Sequence, residues 1–292
     1  MGWDPKIGKW VATIRPDGER VIPPRRIIGR SESEDFIHWT KPTHILVQDD
    51  MDPFNIEFYG MPMMQYEDIY LGMLWIYHND PELKDQTVDS QLTYSVDTLI
   101  WQRAGNREVF LPLGPRGSWD SCMVFPTQPL IVGDEIWIYY GGFNIRHHQE
   151  GDIGKMREGQ LLGAGIGLAK LRLDCFVYLD AGNEGVYLVT RPFGVPPQNY
   201  PKYTVHIEEP RRLVINAEAE KGEVRVELLD ANAGDQPIPG FSRKECDRFN
   251  GDSVHHTVTW NGSQNLSSLM GKSFKLKFYL RNAKLYSFQL EK

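Results

Sequence analysis

The sequence predicts an all-β fold, and three observations carry that reading. Short runs rich in β-branched and aromatic residues recur along nearly the whole chain, among them "KWVATI", "IYLGMLWIYH", "EIWIYYGG", "RLVINAEA" and "SFKLKFYLR". Such residues fit a pleated, half-buried surface, and many of these runs alternate with period 2. No long helical pattern interrupts them; the longest helix candidate, "SRKECDRF", is short and lies between turns. The 27 glycines and 19 prolines supply the tight turns that many short strands require.

Taken in order, the strands as far as Leu179 group into three similar units. The first reads "DPKIGKWVATI" and then "RRIIGRSESEDFIHW". The second reads "MPMMQYEDIYLGMLWIYH" and then "SQLTYSVDTLIW". The third reads "CMVFPTQPLIVGDEIWIYYGG" and then "GAGIGLAKLRLDCFVYL". Hairpin turns are expected at Gly8, at Glu67-Asp68 and at Gly133-Asp134. The first two units share one phrase, Ser-x-Asp-x-x-x-Trp, written as Ser33, Asp35, Trp39 and again as Ser95, Asp97, Trp101. A repeat of about 60 residues with four strands per unit predicts propeller blades, which bury their faces only against neighbours. The phrase then has a structural job: the Asp accepts backbone N–H bonds in a tight turn and the Trp slots between blades.

Three units do not close a propeller, and the first is expected to lack its innermost strand. That predicts either about two further blades upstream or a homo-oligomer covering the open edge. After the Pro-rich connector "RPFGVPPQNYP", at least five more strands with turns at "KGE", "ANAGDQPIPG", "FNGDS" and "WNGS" predict a β-sandwich. The expected division is therefore residues 1–184 as propeller blades and 185–292 as sandwich.

A formal net charge of −7 argues against nucleic acid as the main partner. No apolar run approaches the roughly 20 residues that span a bilayer. "MGWDPKIGKW" lacks the apolar stretch of a signal peptide, so no targeting signal is read in this chain. An extracellular or periplasmic location stays open for a longer protein. Cys122, Cys175 and Cys246 have no metal-ligand spacing, and no cofactor or metal ligand set is read.

The phrase Ser-x-Asp-x-x-x-Trp, "GSWDS" before one inner strand and "IWIYYGG" after it resemble the five-bladed β-propeller glycosidases of the invertase/fructanase and arabinanase/xylosidase type. There is a further echo of the mannoside phosphorylases. The resemblance implies a partial five-bladed propeller followed by a C-terminal sandwich, apparently without its N-terminal blades. It also implies catalytic carboxylates on successive blades and an oligosaccharide or polysaccharide partner. The Asp-Pro-Asn-Gly, Arg-Asp-Pro and Glu-Cys-Pro motifs of the invertase group do not stand in this chain; "MDPFN", Met51 to Asn55, is a partial likeness.

Glycoside cleavage needs two carboxyl groups across the scissile bond, and a propeller gathers them where its inner strands begin. Asp120, in "GSWDSCMVF", directly precedes an inner strand and adjoins Trp119, a surface for sugar stacking. Glu57, in "NIEFYGMP", holds the corresponding place one unit earlier, with Asp52 as its competitor. His147 and His148, on the loop after "YYGGFNIR", suit hydrogen bonding to hydroxyls or proton transfer near neutrality. Arg146 beside them suits an acidic sugar, and Tyr59 and Arg30 complete the set. Asp120 and Glu57 are thus the expected catalytic pair, with Trp119, His147, His148, Asp52, Tyr59 and Arg146 as substrate contacts. The leading expectation is a glycoside hydrolase-like protein degrading polysaccharide. The alternative is a non-catalytic carbohydrate-binding propeller or an inactive glycosidase fragment. The sugar and its linkage are not legible.

Overall fold

The computed structural model describes residues 2–16, 25–80, 85–147, 154–157, 159–196, 204–207 and 209–291. Among them every long element is a strand, and no helix is long and apolar enough to cross a membrane. Contacts divide the chain into two compact units, residues 1–170 and 171–292.

The first unit holds three blade-like antiparallel sheets. Its first sheet runs β1 (Gly2–Asp4), β2 (Lys9–Ile14), β3 (Ile28–Ser33), β4 (Thr43–Leu46) in that order. The innermost strand expected to be missing is therefore present, although only three residues of it pair, Gly2 to Asp4 against Val11 to Lys9. The second sheet is built on a long hairpin, β7 (Ile69–Asp80) with β8 (Asp85–Ser95). Its inner strand is interrupted into β5 (Ile56–Gly60) and β6 (Met63–Tyr66), both paired to β7. Its outer edge is β9 (Trp101–Arg103) and β10 (Val109–Leu111), both paired to β8. The third sheet contains β11 (Met123–Pro126), β12 (Leu130–Val132), β13 (Glu135–Phe143) and, after a small hairpin of β14 (Met156–Arg157) and β15 (Gln160–Leu161), β16 (Ala164–Arg172). A single parallel pair, Met123 with Val88, joins the second and third sheets.

The hairpin turns fall where glycine or another left-handed residue was expected: Gly8, Glu67 and Gly133 have φ of 65°, 50° and 59°. Side chains interlock between sheets because period-2 alternation presents two faces from each strand. Val11 and Ile28 of the first sheet pack with Phe58, Leu74, Ile76 and Trp101 of the second. Tyr77 and Val88 of the second pack with Met123 and Ile145 of the third. Polar contacts cross as well: the Tyr70 hydroxyl donates to Asp4 at 2.8 Å, and the Arg30 Nε–H donates to Thr98 at 2.9 Å.

The second unit begins earlier than the sequence suggests. Strand β17 (Leu179–Ala181), expected in the propeller, pairs with the C-terminal strand β25 (Ala283–Glu291), which places it in the second unit. The other strands are β18 (Val186–Val189), β19 (Phe193–Gly194), β20 (Arg212–Glu218), β21 (Glu223–Asp230), β22 (Gln236–Pro237), β23 (Asp252–Thr257) and β24 (Ser273–Arg281). One sheet runs β17-β25-β20-β23; the other runs β18-β24-β21-β22 with β19 also on β24. Their inner faces share one core that includes Leu213, Ile215, Val226, Leu228, Phe274, Phe278, Trp260 and Cys246, which is a β-sandwich. The Trp260 indole N–H finds the Val226 carbonyl at 3.0 Å, as a buried indole requires.

Candidate functional site at the inner-strand ends

The strand directions sort the first unit into two ends. At one end lie the hairpin turns and both copies of Ser-x-Asp-x-x-x-Trp. In the first copy, Asp35 Oδ1 accepts the N–H groups of Ile37 and His38 at 2.9 and 2.7 Å, and Ser33 Oγ accepts that of Phe36 at 2.8 Å. In the second, Asp97 Oδ1 accepts Leu99 and Ile100 at 2.9 Å each, and Ser95 Oγ accepts Thr98 at 2.9 Å. Both indoles bond back to the carbonyl three residues earlier. Asp35 and Asp97 are turn supports. A cleft of about 260 Å³ between Lys9, Glu32, Asp35 and His38 belongs to this end.

At the other end, where β5 and β11 start, stand the expected site residues, in two groups. Glu57 and Tyr59 alternate on one face of β5, and Tyr77 and Asn79 on the matching face of β7, where Glu57 pairs with Tyr77. The Glu57 carboxylate accepts Arg26 Nη1 at 2.6 Å, the Arg26 backbone N–H at 3.2 Å and Asn79 Nδ2 at 2.9 Å. Burial raises its pKa, but the bonds from Asn79 and Arg26 and the Arg26 charge outweigh that and hold the carboxyl below its usual range. Glu57 is therefore ionised near neutrality, which does not suit a proton donor.

Arg26 lies over the rings of Tyr59 and Tyr77, 5.5 and 5.0 Å from their centroids. Tyr59 Oη lies 2.8 Å from His147 Nε2, and the His147 ring packs against both tyrosines. The Tyr77 hydroxyl is fully buried and has no hydrogen-bond partner among the described residues. Arg146 is half-buried on the same loop, and His148 lies outside the described residues.

The second group centres on Asp120. Its Oδ1 accepts the Ser118 hydroxyl at 2.7 Å and its Oδ2 the Tyr140 hydroxyl at 2.9 Å. Burial and that bond push the Tyr140 hydroxyl up to about 12, so it remains a donor at ordinary pH. Trp119, 39% exposed, stacks on Tyr140 with centroids 5.7 Å apart and planes at 16°. Both rings lie on strands stripped of side chains: a Cβ at Gly142 or Gly165 would strike Trp119, and one at Gly167 would strike Tyr140. Gly142, with Gly165 and Gly167 of "GAGIGLA", thus forms a floor for the two rings. Among the described residues, no hydrogen bond or ion pair joins Asp120 to Glu57 or Arg26.

Asp52 does not belong to either group. Its side chain is 1% exposed and pairs with Arg103 and, at 3.2 Å, with Arg107, which anchors the loop before β5. Arg30 bridges two sheets at the structural end. Sequence reasoning missed Arg26, Asn79, Tyr77 and Tyr140. Reading "WIYHND" with period 2 would have placed Tyr77 and Asn79 on one face of their strand; the register that sets them beside Glu57 and the position of Arg26 have no local signal.

The fold and this end together define an all-β chain of propeller blades and a sandwich, with two carboxylates and stacked aromatics where the inner strands start. No protein-family model matches the sequence, and no curated protein does. Among solved structures the chain is similar to an N-acetylgalactosamine deacetylase from F. plautii, crystallised with blood group B trisaccharide. That likeness is 16% identical with a TM-score of 0.44, over 60% of this chain and 49% of that one. It is also similar to a family 117 glycoside hydrolase of Zobellia galactanivorans, at 15% identity and TM-score 0.39, over 88% and 70%. A third is a Bombyx mori family 32 β-fructofuranosidase, at 10% identity and TM-score 0.32, over 97% and 76%. The chain spans about half the length of the first of these.

Proposed function

We propose that the chain is a carbohydrate-active, glycoside hydrolase-like protein that takes a saccharide at the inner-strand ends. The observation that carries this reading is the Asp120 group, a carboxylate with defined donors beside a half-exposed indole on a glycine floor. Apolar sugar faces stack on such a surface while the carboxylate accepts hydroxyl hydrogens. Cleavage would use one carboxylic acid to protonate the glycosidic oxygen and a second carboxylate to attack or to activate water. Glu57, held ionised, fits the second role. Asp120, the other carboxyl group at this end and the one beside Trp119, is left for the first.

Binding without cleavage is the second reading, and the saturation of Glu57 by three donors favours it. Calorimetry and product analysis on a panel of oligosaccharides separate the two. Asp120→Asn is expected to abolish turnover with folding intact, and an unchanged rate removes Asp120 from catalysis. Saturable binding with no product from the wild-type chain establishes the binding reading instead.

A further inference from the structure

The outer face of the sandwich sheet β18-β24-β21 carries a cleft that neither reading above uses. Cross-strand register places Tyr187 beside Tyr279 and Tyr279 beside Arg225, so three side chains form one row on the face opposite the core. Val226, Phe278 and Leu280 on the reverse face are buried in the sandwich core, so the row points outward. Tyr187 is 65% exposed, and the two tyrosine rings stand 6.3 Å apart at 48°. Together with Glu223, Arg243 and Arg281 they line an open cleft of about 340 Å³, within the roughly 300–1,000 Å³ usual for small-molecule sites.

The charges in the cleft are unequally committed. Glu223 is shared by Arg225 and Arg281, at 3.5 and 3.2 Å. Glu227 accepts the Tyr279 hydroxyl at 2.8 Å and the Arg243 backbone N–H at 3.0 Å. The cationic heads of Arg243 and Lys277 instead lie on tyrosine faces. Arg243 sits 4.3 Å from the Tyr279 centroid, and Lys277 sits 4.5 Å from Tyr187 and 5.0 Å from Tyr279. Among the described residues neither forms an ion pair with a carboxylate. Lys277 interacts with the Tyr279 hydroxyl and with Glu227, and Glu184 also lines the cleft. Arg243 is therefore the oriented cation that lines the cleft beside the exposed ring, on a chain whose net charge is −7, so bulk attraction does not recruit polyanions here.

We propose that this cleft binds an anionic saccharide, its ring stacked on Tyr187 and its carboxylate or sulfate held by Arg243. A planar guanidinium takes such a group in two parallel bonds, and the free face of Tyr187 takes the apolar face of the sugar. A neutral glycan offers nothing to the Arg243 guanidinium, so the site discriminates by charge.

Affinity electrophoresis and calorimetry of the full chain test this with polygalacturonate, dextran sulfate and neutral dextran as probes. Retention by at least one acidic polymer and not by neutral dextran is expected. The two acidic probes tell carboxylate from sulfate. Tyr187→Ala and Arg243→Gln should each weaken binding tenfold or more, while Asp120→Asn leaves it unchanged. The Tyr187 variant guards against simple ion exchange, which loss of an uncharged ring would not alter. Failure of both acidic polymers to bind, equal binding to neutral dextran, or wild-type affinity in the Tyr187 variant overturns the proposal. Since Asp120→Asn reads out the other unit, failure here is distinguishable from failure of the carbohydrate reading there.

Discussion

The two copies of Ser-x-Asp-x-x-x-Trp are alike in hydrogen bonding and unlike in burial. Phe36 and Thr98 occupy the same place with φ of 67° and 63°, yet Phe36 is 47% exposed and Thr98 fully buried. Trp101 is buried in the core shared by the first and second sheets, whereas Trp39 is half-exposed at the end of an edge-to-face chain, Trp3, Trp10, Phe36, Trp39. What covers Thr98 and Trp101 is the preceding blade, through Arg30, Val11 and Ile28. Seven residues suffice to build the turn; burying its aromatic requires a neighbour.

The largest expected effect breaks this asymmetry at the tryptophans. Trp101→Ala leaves a cavity between sheets and should cost about 3–5 kcal/mol. Trp39→Ala should cost less than about 1 kcal/mol, as an exposed substitution does. Urea unfolding of both variants checks this, and equal losses would mean that something covers Trp39 in solution.

A smaller effect is expected at the inter-blade bond. Thr98→Val leaves the buried Arg30 Nε–H without its acceptor, at a cost of about 1–3 kcal/mol; Phe36→Asn, at the matching position, keeps a residue that tolerates the positive φ, orphans no buried donor and should cost less than about 1 kcal/mol. The midpoint of unfolding distinguishes them.

The smallest effects are titrations. Backbone N–H bonds from Ile100 and Leu99 lower the Asp97 pKa. Its contribution to stability is therefore present above the ordinary value of about 3.9 and is lost as pH falls through the lowered folded value. Asp97→Asn should flatten the acid limb of stability against pH. Only the first copy carries a histidine: Asp35 bonds His38 Nδ1 at 2.6 Å and raises its pKa, where the second copy has Ile100. That contribution is full below the ordinary histidine value and is lost as pH rises through the raised one. NMR titration should place His38 above about 6.5, and Asp35→Asn should return it there.

Much of this was legible beforehand. The three blades, their turns and the structural role of Asp35 and Asp97 follow from local patterns, because a strand alternates with period 2 and a tight turn needs a side-chain acceptor. The division of the chain was not, since β17 resembles a blade strand and joins the sandwich by pairing with β25, about a hundred residues away. The candidate site was half legible. Asp120 with Trp119 and Glu57 with Tyr59 and His147 stand where the inner strands begin. Asp52 has the same sequence credentials and is consumed by Arg103 and Arg107, partners it meets only through the fold.

The sequence by itself determined the all-β class, the repeated turn and the carboxylates at the inner-strand starts, because each rests on bonds or alternation within a few residues. The tertiary structure decided which tryptophan is covered, that Arg26 and Asn79 saturate Glu57, and that three glycines make a floor for Trp119 and Tyr140. It also decided that Tyr187 shares a cleft with the Arg243 guanidinium. Those outcomes depend on which strands become neighbours, and a side chain's solvent, charge and partners are properties of that packing rather than of its place in the chain.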